Sequence, residues 1–447
     1  MIKAVRGTRD LLPPDTALWN FVETAARDVF RLYNFREIRT PIFEQTQLFA
    51  RSVGEETDIV SKEMFTWEDS SRAASEKTQS LTLRPEATAG IVRAYIEHDL
   101  NRTGLLQRLY MMGPMFRRER PQKGRYRQFF QIDAEVIGPP TAGSESPSVD
   151  AELLEMLAHY LERIGITGWT LELNSVGCAN DRPKYNEALR AALAKDLDKM
   201  CEDCRRRAVT NPLRVLDCKV PADQPIIEKL PRMIDYLDES CRRHFQSVQD
   251  LLATVGVPYV INARLVRGLD YYTRTAFEFT HGALGAQNAI LGGGRYDGLS
   301  ESLGGPKAPG IGFAIGEDRL VLTLAAQWAQ GHDPELAAKF GPFLTRPDAY
   351  LAPVGAGMNR EAAKLARELR KQELVVELGD ESLRLKKSLE MAAKIEWSLE
   401  KAKEVGARFA VIVGENEVKA DAFAVKNLAS GEQVTVARRE LAAWIRK

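Results

Sequence analysis

The stretch Phe116-Arg-Arg-Glu-Arg-Pro-Gln-Lys-Gly-Arg-Tyr-Arg-Gln-Phe-Phe-Gln-Ile-Asp-Ala-Glu135 decides how this chain is read. Six cations (Arg117, Arg118, Arg120, Lys123, Arg125 and Arg127) crowd around a break at Pro121 and Gly124. After the break the residues alternate with period two. Phe130, Ile132, Ala134 and Val136 fall on one strand face, and Gln131, Asp133 and Glu135 on the other. A strand with one apolar face ordinarily turns its polar face to water. Here that polar face follows directly on a cationic loop, and such loops suit phosphates. One reading is a site for a polyanion and a small polar ligand. The other is an exposed hairpin with a solvated basic turn.

Outward from this hairpin, residues 106–117 and 127–138 read as antiparallel strands flanking the loop. Upstream, Asp15 opens an amphipathic helix running to about Tyr33, and Phe35–Phe43 reads as a strand interrupted by Pro41. Leu81–Leu83 is a short strand leading into a helix at about 87–99. Downstream come a helix at 150–164, a strand at 169–174, and a charged, cysteine-containing helical insertion at about 178–255. Strands return at 258–266, 274–280, 287–292 and 310–316, and a helix begins near Glu317. A linker is expected at 329–347, rich in Gly and Pro. Beyond it strands and helices alternate, with a helix at 383–405 among them.

The domains expected are therefore 1–328, an α+β domain with a mostly antiparallel sheet, and 348–447, a separate α/β domain. A chain of 447 residues needs more than one core. Its composition, 44% hydrophobic and 28% charged, is that of a globular protein. Net charge is zero, so any nucleic-acid contact must come from local patches. No apolar run approaches a membrane span, and Met1–Gly7 has no apolar signal region, so a cytoplasmic location with reduced cysteines is expected.

Further segments carry chemistry. In Leu265-Val-Arg-Gly-Leu-Asp-Tyr-Tyr272, Arg267 ends an apolar strand, and its guanidinium could take phosphate or carboxylate in a fork. Tyr271 and Tyr272 would point to opposite sides of an extended chain, and could equally be packing residues. Gly292-Gly-Gly-Arg-Tyr-Asp-Gly298 allows close backbone approach to a ligand, or is a plain glycine-rich turn. Arg319 lies in the first turns of a helix, where the dipole disfavours a cation unless an anion binds beside it. Glu86 could receive a ligand ammonium or cap the following helix. Cys201 and Cys204 have zinc-knuckle spacing, which Cys218 and Cys241 could complete. The intervals are irregular, so no metal is assigned and free thiols are the favoured reading.

Taken together and in order, these segments resemble the class II aminoacyl-tRNA synthetases, and among them the histidyl family. Phe35–Phe43 looks like class motif 1, Phe116–Glu135 like motif 2, and Gly310–Leu320 like motif 3. Leu265–Tyr272 and Gly293–Gly298 look like the segments particular to histidyl enzymes, and Val5–Asp10 like their usual N-terminus. The resemblance implies a homodimeric ligase in which ATP, with substrate-bound Mg²⁺, activates L-histidine, which then passes to tRNA(His). It implies that Arg117, Arg267 and Arg319 are catalytic, and that Arg117, Glu119, Arg125 and Arg319 hold ATP. Histidine would meet Glu86, Thr88, Gln131, Glu135, Arg267, Tyr271, Tyr272 and Tyr296, and the tRNA acceptor end Arg120, Gln122 and Arg125. The terminal domain looks like the family's anticodon-binding module, although its 18 basic and 16 acidic residues do not themselves argue for RNA. Ala87 departs from the glycine expected after Glu86, and 383–405 is longer than the family norm. The competing reading is the synthetase-like regulatory subunit of ATP phosphoribosyltransferase, whose relatives generally lack the terminal domain.

Overall fold

The computed structural model describes residues 2–13, 15–54, 57–69, 79–122, 124–285, 288–330, 343, 347–393 and 407–446. The chain divides into two compact units: Met1–Asp10 with Phe21–Leu336, and Leu11–Asn20 with Ala337–Lys447.

The strands of the first unit are β1 (Arg36–Glu37), β2 (Phe43–Gln45), β3 (Phe65–Asp69), β4 (Gln79–Leu83), β5 (Gln107–Phe116), β6 (Gln128–Ile137), β7 (Trp169–Ser175), β8 (Val260–Ile261), β9 (Thr273–His281), β10 (Ala289–Arg295) and β11 (Gly310–Gly316). Eight of them form one sheet in the order β1-β5-β6-β11-β10-β9-β7-β8. Only its edge pairs, β1 with β5 and β7 with β8, are parallel. The helix Asp15–Leu32 lays Val22, Ala26, Val29 and Phe30 on this sheet at helical spacing. Phe30 reaches the rings of Tyr110 at 4.8 Å and Phe313 at 6.2 Å. Asn34, at φ 60°, turns the chain out of the helix.

Several expectations need correction. Phe35–Phe43 is not one strand. Pro41 cannot donate to a ladder, and the chain leaves the large sheet after Glu37 to join β2 in a separate sheet of order β2-β4-β3. The buried Arg84 guanidinium holds this crossing by donating to the Thr40 carbonyl at 3.0 Å and the Pro114 carbonyl at 2.9 Å. The strand expected at 258–266 shrinks to Val260–Ile261, and Arg267 lies in a loop. The chain around Tyr271 and Tyr272 is a turn, so their rings meet at 4.7 Å instead of pointing apart. Gly292–Arg295 is not a turn but the interior of β10.

The insertion is helical throughout, with helices Arg182–Leu193, Glu202–Thr210 and Glu239–Val255 around its own core of Tyr185, Leu189, Val215 and Cys241. In the second unit β12 (Ala349–Val354), β13 (Val376–Leu378), β14 (Phe409–Gly414), β15 (Ala422–Asn427) and β16 (Gln433–Ala437) take the order β13-β12-β14-β15-β16. Helix Met358–Arg370 buries Ala362, Leu365, Ala366 and Leu369 in that unit's core. Of the helix expected at 383–405, Leu385–Ala392 is present, and 394–406 lie outside the described residues, as does most of the expected linker. A helix at Glu415–Ala420 was not expected. No helix of the described residues is long and apolar enough to cross a membrane.

Candidate active site

The alternation in β6 becomes a pocket because the strands on one side of it, β11 and then β10, present almost no side chains on that face. On β11, Gly316, Ala314 and Gly312 stand opposite Gln131, Asp133 and Glu135. On β10, Gly292 and Gly294 stand opposite Ala314 and Gly312. This stripe of small residues leaves room above the sheet for large groups from loops. A Cβ on Gly292 would lie 2.5 Å from Nη1 of Arg267, and one on Gly294 would lie 2.8 Å from the Tyr272 ring. A Cβ on Gly312 would collide with the Glu135 carboxylate. The glycine-rich segment is thus the floor of a site.

Above that floor lies a cavity of about 280 Å³. Arg117, Arg267 and Arg319, far apart in sequence, all line it, together with Glu86, Thr88, Gln131, Asp133, Tyr271 and Tyr272. Arg117 is aimed by its Nε donating to the Pro85 carbonyl at 2.9 Å, with its guanidinium 5.2 Å from the Phe129 ring. Arg319 donates from Nη1 to the Ala289 carbonyl at 2.8 Å. Arg267 pairs with Glu278 and sits over the Tyr272 ring at 5.9 Å. Three guanidiniums around one cavity make a receptor for an extended anion.

Buried acidic and polar acceptors stand beside these arginines. Glu86 accepts the N–H groups of Thr88 at 2.7 Å and Ala89 at 3.0 Å, so it does cap the helix Thr88–Glu97 while lining the cavity. Glu135 accepts the Thr88 hydroxyl at 2.6 Å. Burial pushes the Glu135 carboxyl up to about 8, against the pull of hydrogen bonds from Thr88 and Tyr296. Asp133 is raised well above the usual carboxylate range, first by burial and then by Glu135 and Glu86. Gln131 Oε1 and Asp133 Oδ2 are buried without a hydrogen-bond partner among the described residues. Buried acceptors held this way fit an arriving ammonium.

A family model described as histidyl-tRNA synthetase matches residues 7–320, and another described as anticodon binding domain matches 348–447. The chain belongs to the histidyl-tRNA synthetase family. It is 68% identical over 446 residues to the histidine–tRNA ligase of Koribacter versatilis strain Ellin345, covering 100% of this chain and 96% of that one. It is 55% identical over 444 residues to the histidine–tRNA ligase of Solibacter usitatus strain Ellin6076, covering 99% and 98%. The crystal structure of apo histidyl-tRNA synthetase from S. aureus superposes with a TM-score of 0.78 at 34% identity, covering 100% of each chain.

Not every residue expected from the resemblance to the histidyl-tRNA synthetase family meets the cavity. Arg125 and Glu119 line it and pair with each other at 3.2 Å. Glu135 and Tyr296 lie one layer deeper, with Glu135 tied to Thr88 on the cavity wall. Arg120 and Gln122 are exposed on the loop, away from the lining. Gln122 bridges Arg125 through two backbone hydrogen bonds of 2.9 and 3.0 Å.

Several residues escaped the sequence reading. Sequence reasoning puts Asp133 on the polar face but assigns it no role, although its period-two position marks it. Glu278 had no signal beyond facing Gly292 across the ladder. Arg9 pairs with Asp318 at 2.6 Å and stacks on Tyr126 at 4.4 Å, while Asp318 accepts the Phe130 N–H at 3.1 Å. The N-terminal segment therefore braces the hairpin that carries Arg117.

Behind the site, Arg295 is fully buried between Asp150, at 3.1 Å, and Asp297, at 2.9 Å. Asp150 also meets His244 at 2.9 Å and accepts the Thr275 hydroxyl at 2.6 Å. The cysteine set Cys201, Cys204, Cys218 and Cys241 is not assembled. Cys241, on the helix Glu239–Val255, joins Cys178, Asp181 and Asp238, and Asp223 takes its place beside the other three.

Proposed function

We propose that this chain is a histidine–tRNA ligase that activates L-histidine with ATP and transfers it to tRNA(His). The observation that carries the proposal is one cavity lined by Arg117, Arg125, Arg267 and Arg319 together with buried, under-partnered acceptors. A carboxylate attacking the α-phosphate of ATP brings two anions together, so the site must neutralise both and hold them in line. Arg117 would hold the α-phosphate and Arg319 the γ-phosphate, with Glu119 and Arg125 at the nucleotide. Arg267 would bridge the histidine carboxylate and the α-phosphate as charge develops there.

Among the buried acceptors Glu86, Thr88 and Gln131 would take the α-ammonium, and Asp133 joins them on the strength of its unpartnered oxygen. Glu135 and Tyr272 would read the imidazole, supported by Tyr271 and Tyr296. A donor–acceptor ring matched by a buried pair rejects other amino acids by leaving that pair unsatisfied. Mg²⁺ would neutralise phosphate charge. Glu119 and Glu278 already pair with arginines, which suits an ion ligated mainly by phosphate oxygens and water.

Arg120, Gln122 and Arg125 would approach the tRNA acceptor end, and 348–447 the anticodon. A cytoplasmic homodimer completes the reading. The exposed Ile42, Phe43 and Trp67, with the last two in edge contact at 6.0 Å, offer apolar surface for the second copy. The test is histidine-dependent ATP–pyrophosphate exchange with a panel of amino acids. Exchange with histidine alone supports the proposal. Exchange only with another amino acid overturns its specificity, and none with any points to the regulatory-subunit reading.

A further inference from the structure

The helical insertion holds a polar centre that this reaction does not use. Cys201, Cys204, Cys218 and Asp223 each place one ligand atom within 4.8 Å of the others. We propose that these four residues form a structural zinc site. Tetrahedral zinc with Zn–S bonds of about 2.3 Å requires sulfurs about 3.8 Å apart. Cys201 Sγ and Cys218 Sγ are 3.9 Å apart. A carboxylate oxygen on the same ion, at about 2.0 Å, would lie about 3.5 Å from each sulfur. Asp223 Oδ2 is 3.3 Å from Cys218 Sγ.

The surroundings are those of charged ligands. The Cys204 N–H donates to Cys201 Sγ and the Val220 N–H to Cys218 Sγ, each at 3.4 Å. The Cys201 N–H donates to Asp223 Oδ1 at 3.1 Å. Such donors orient ligands and support their negative charge. Asp223 is fully buried, yet among the described residues its carboxylate meets thiols and one N–H instead of a cation. Buried carboxylates are ordinarily paired or bound to metal.

The neighbouring cluster makes a useful contrast. There Asp181 already accepts the N–H groups of Cys178 at 2.9 Å and Asp238 at 2.6 Å. Asp238 caps its helix by accepting the Cys241 N–H at 2.7 Å. Backbone N–H groups, one of them a helix cap, account for those carboxylates, and only two thiols remain.

Zinc at the first cluster would displace the thiol protons and close the segment between Cys204 and Cys218. That segment carries Arg207, paired with Asp58 at 3.2 Å, and Arg214, whose Nη1 donates to the Arg267 carbonyl at 2.9 Å. The ion would thus steady the loop that presents Arg267 to the cavity.

The experiment is elemental analysis of the full-length chain, purified with reductant and without chelator, as wild type, Cys204→Ser and Cys241→Ser. The expected result is one zinc per chain in wild type and Cys241→Ser, and loss of zinc in Cys204→Ser. Wild-type protein that neither carries nor takes up zinc overturns the proposal, as does zinc retained in Cys204→Ser or a Cys201–Cys218 disulfide in the peptide map. Should Cys204→Ser fail to fold, cobalt loaded into the wild type decides. Thiolate-to-cobalt charge transfer with tetrahedral bands supports the site, and a spectrum of aqueous cobalt overturns it.

Discussion

The eight-stranded sheet of the first unit and the five-stranded sheet of the second bury different things. The first buries Gln131, Asp133, Glu135 and Arg295 in its strands, and glycines stand where large apolar side chains would otherwise close the core. The second buries Leu351, Val411, Val413, Phe423 and Val425, and its Arg438–Glu368 pair lies at the surface. Buried ionisable groups cost stability unless something compensates them. A sheet that carries them is organised around a ligand, and one that avoids them around packing. The difference predicts that substitutions in the two sheets fail in different currencies, activity in one and stability in the other.

The largest effect is expected at Arg267. Arg267→Ala should lower pyrophosphate exchange by roughly 10²–10³, the scale of losing one charge-stabilising donor. Circular dichroism should show the fold retained. Exchange close to wild type would remove the central arginine from the chemistry and with it the functional meaning of the buried charge.

Next comes the packed sheet. Leu365 is 1% exposed in the core of the second unit. Leu365→Ala should cost about 2–5 kcal/mol, seen by calorimetry as a lowered transition. Exchange measured below that transition should match wild type, because every residue proposed for the adenylate step lies in the first unit. A parallel loss of exchange would mean that the two units are coupled in the first step.

This contrast also accounts for what the sequence disclosed. The period-two run at 128–137 was legible because one face had to be apolar, and it correctly grouped Gln131 with Glu135. The order of elements and the helix at Glu317 were legible from periodicity and glycine spacing. The glycines at 292–294 misled because glycine ordinarily marks turns. Here they serve a central strand, where Arg267 and Tyr272 occupy the space their side chains would have filled. The loop at Arg267 and the turn at Tyr271 were illegible because tertiary contacts, not local propensity, set them. Cys241 was grouped with the wrong thiols for the same reason, since spacing along the chain does not say which helix a cysteine returns to.

A smaller effect sharpens the comparison through pH. Burial raises the Glu135 carboxyl from 4.5 to about 8 in the folded chain, so the native state holds a proton that the unfolded state has lost. Below 4.5 both states are protonated and the group is neutral to folding. As pH rises towards 8 the unfolded state is favoured progressively, and above that the full penalty applies. Glu135→Gln removes the charge and keeps an oxygen to accept the Thr88 hydroxyl. Its melting temperature should exceed wild type most above pH 8 and converge with it below 4.5, while its use of histidine falls. A gain independent of pH would show that the carboxyl is not strained by its burial.

The smallest effect belongs to the best surface pair of the second unit. Arg438 grips Glu368 with two bonds, Nε to Oε2 at 2.9 Å and Nη2 to Oε1 at 2.7 Å. The geometry is bidentate, as good as such pairs become, yet the Glu368 side chain is 48% exposed. Water and salt compete for both partners, so Arg438→Gln should cost only about 0.2–1 kcal/mol, less still in high salt. Thermal unfolding of wild type and variant at low and high ionic strength measures it. A cost comparable with that of Leu365→Ala would mean that the second unit also relies on charge. The two sheets would then differ only in where their charges lie, because water leaves a surface pair weak however good its geometry, whereas a ligand must repay a buried one.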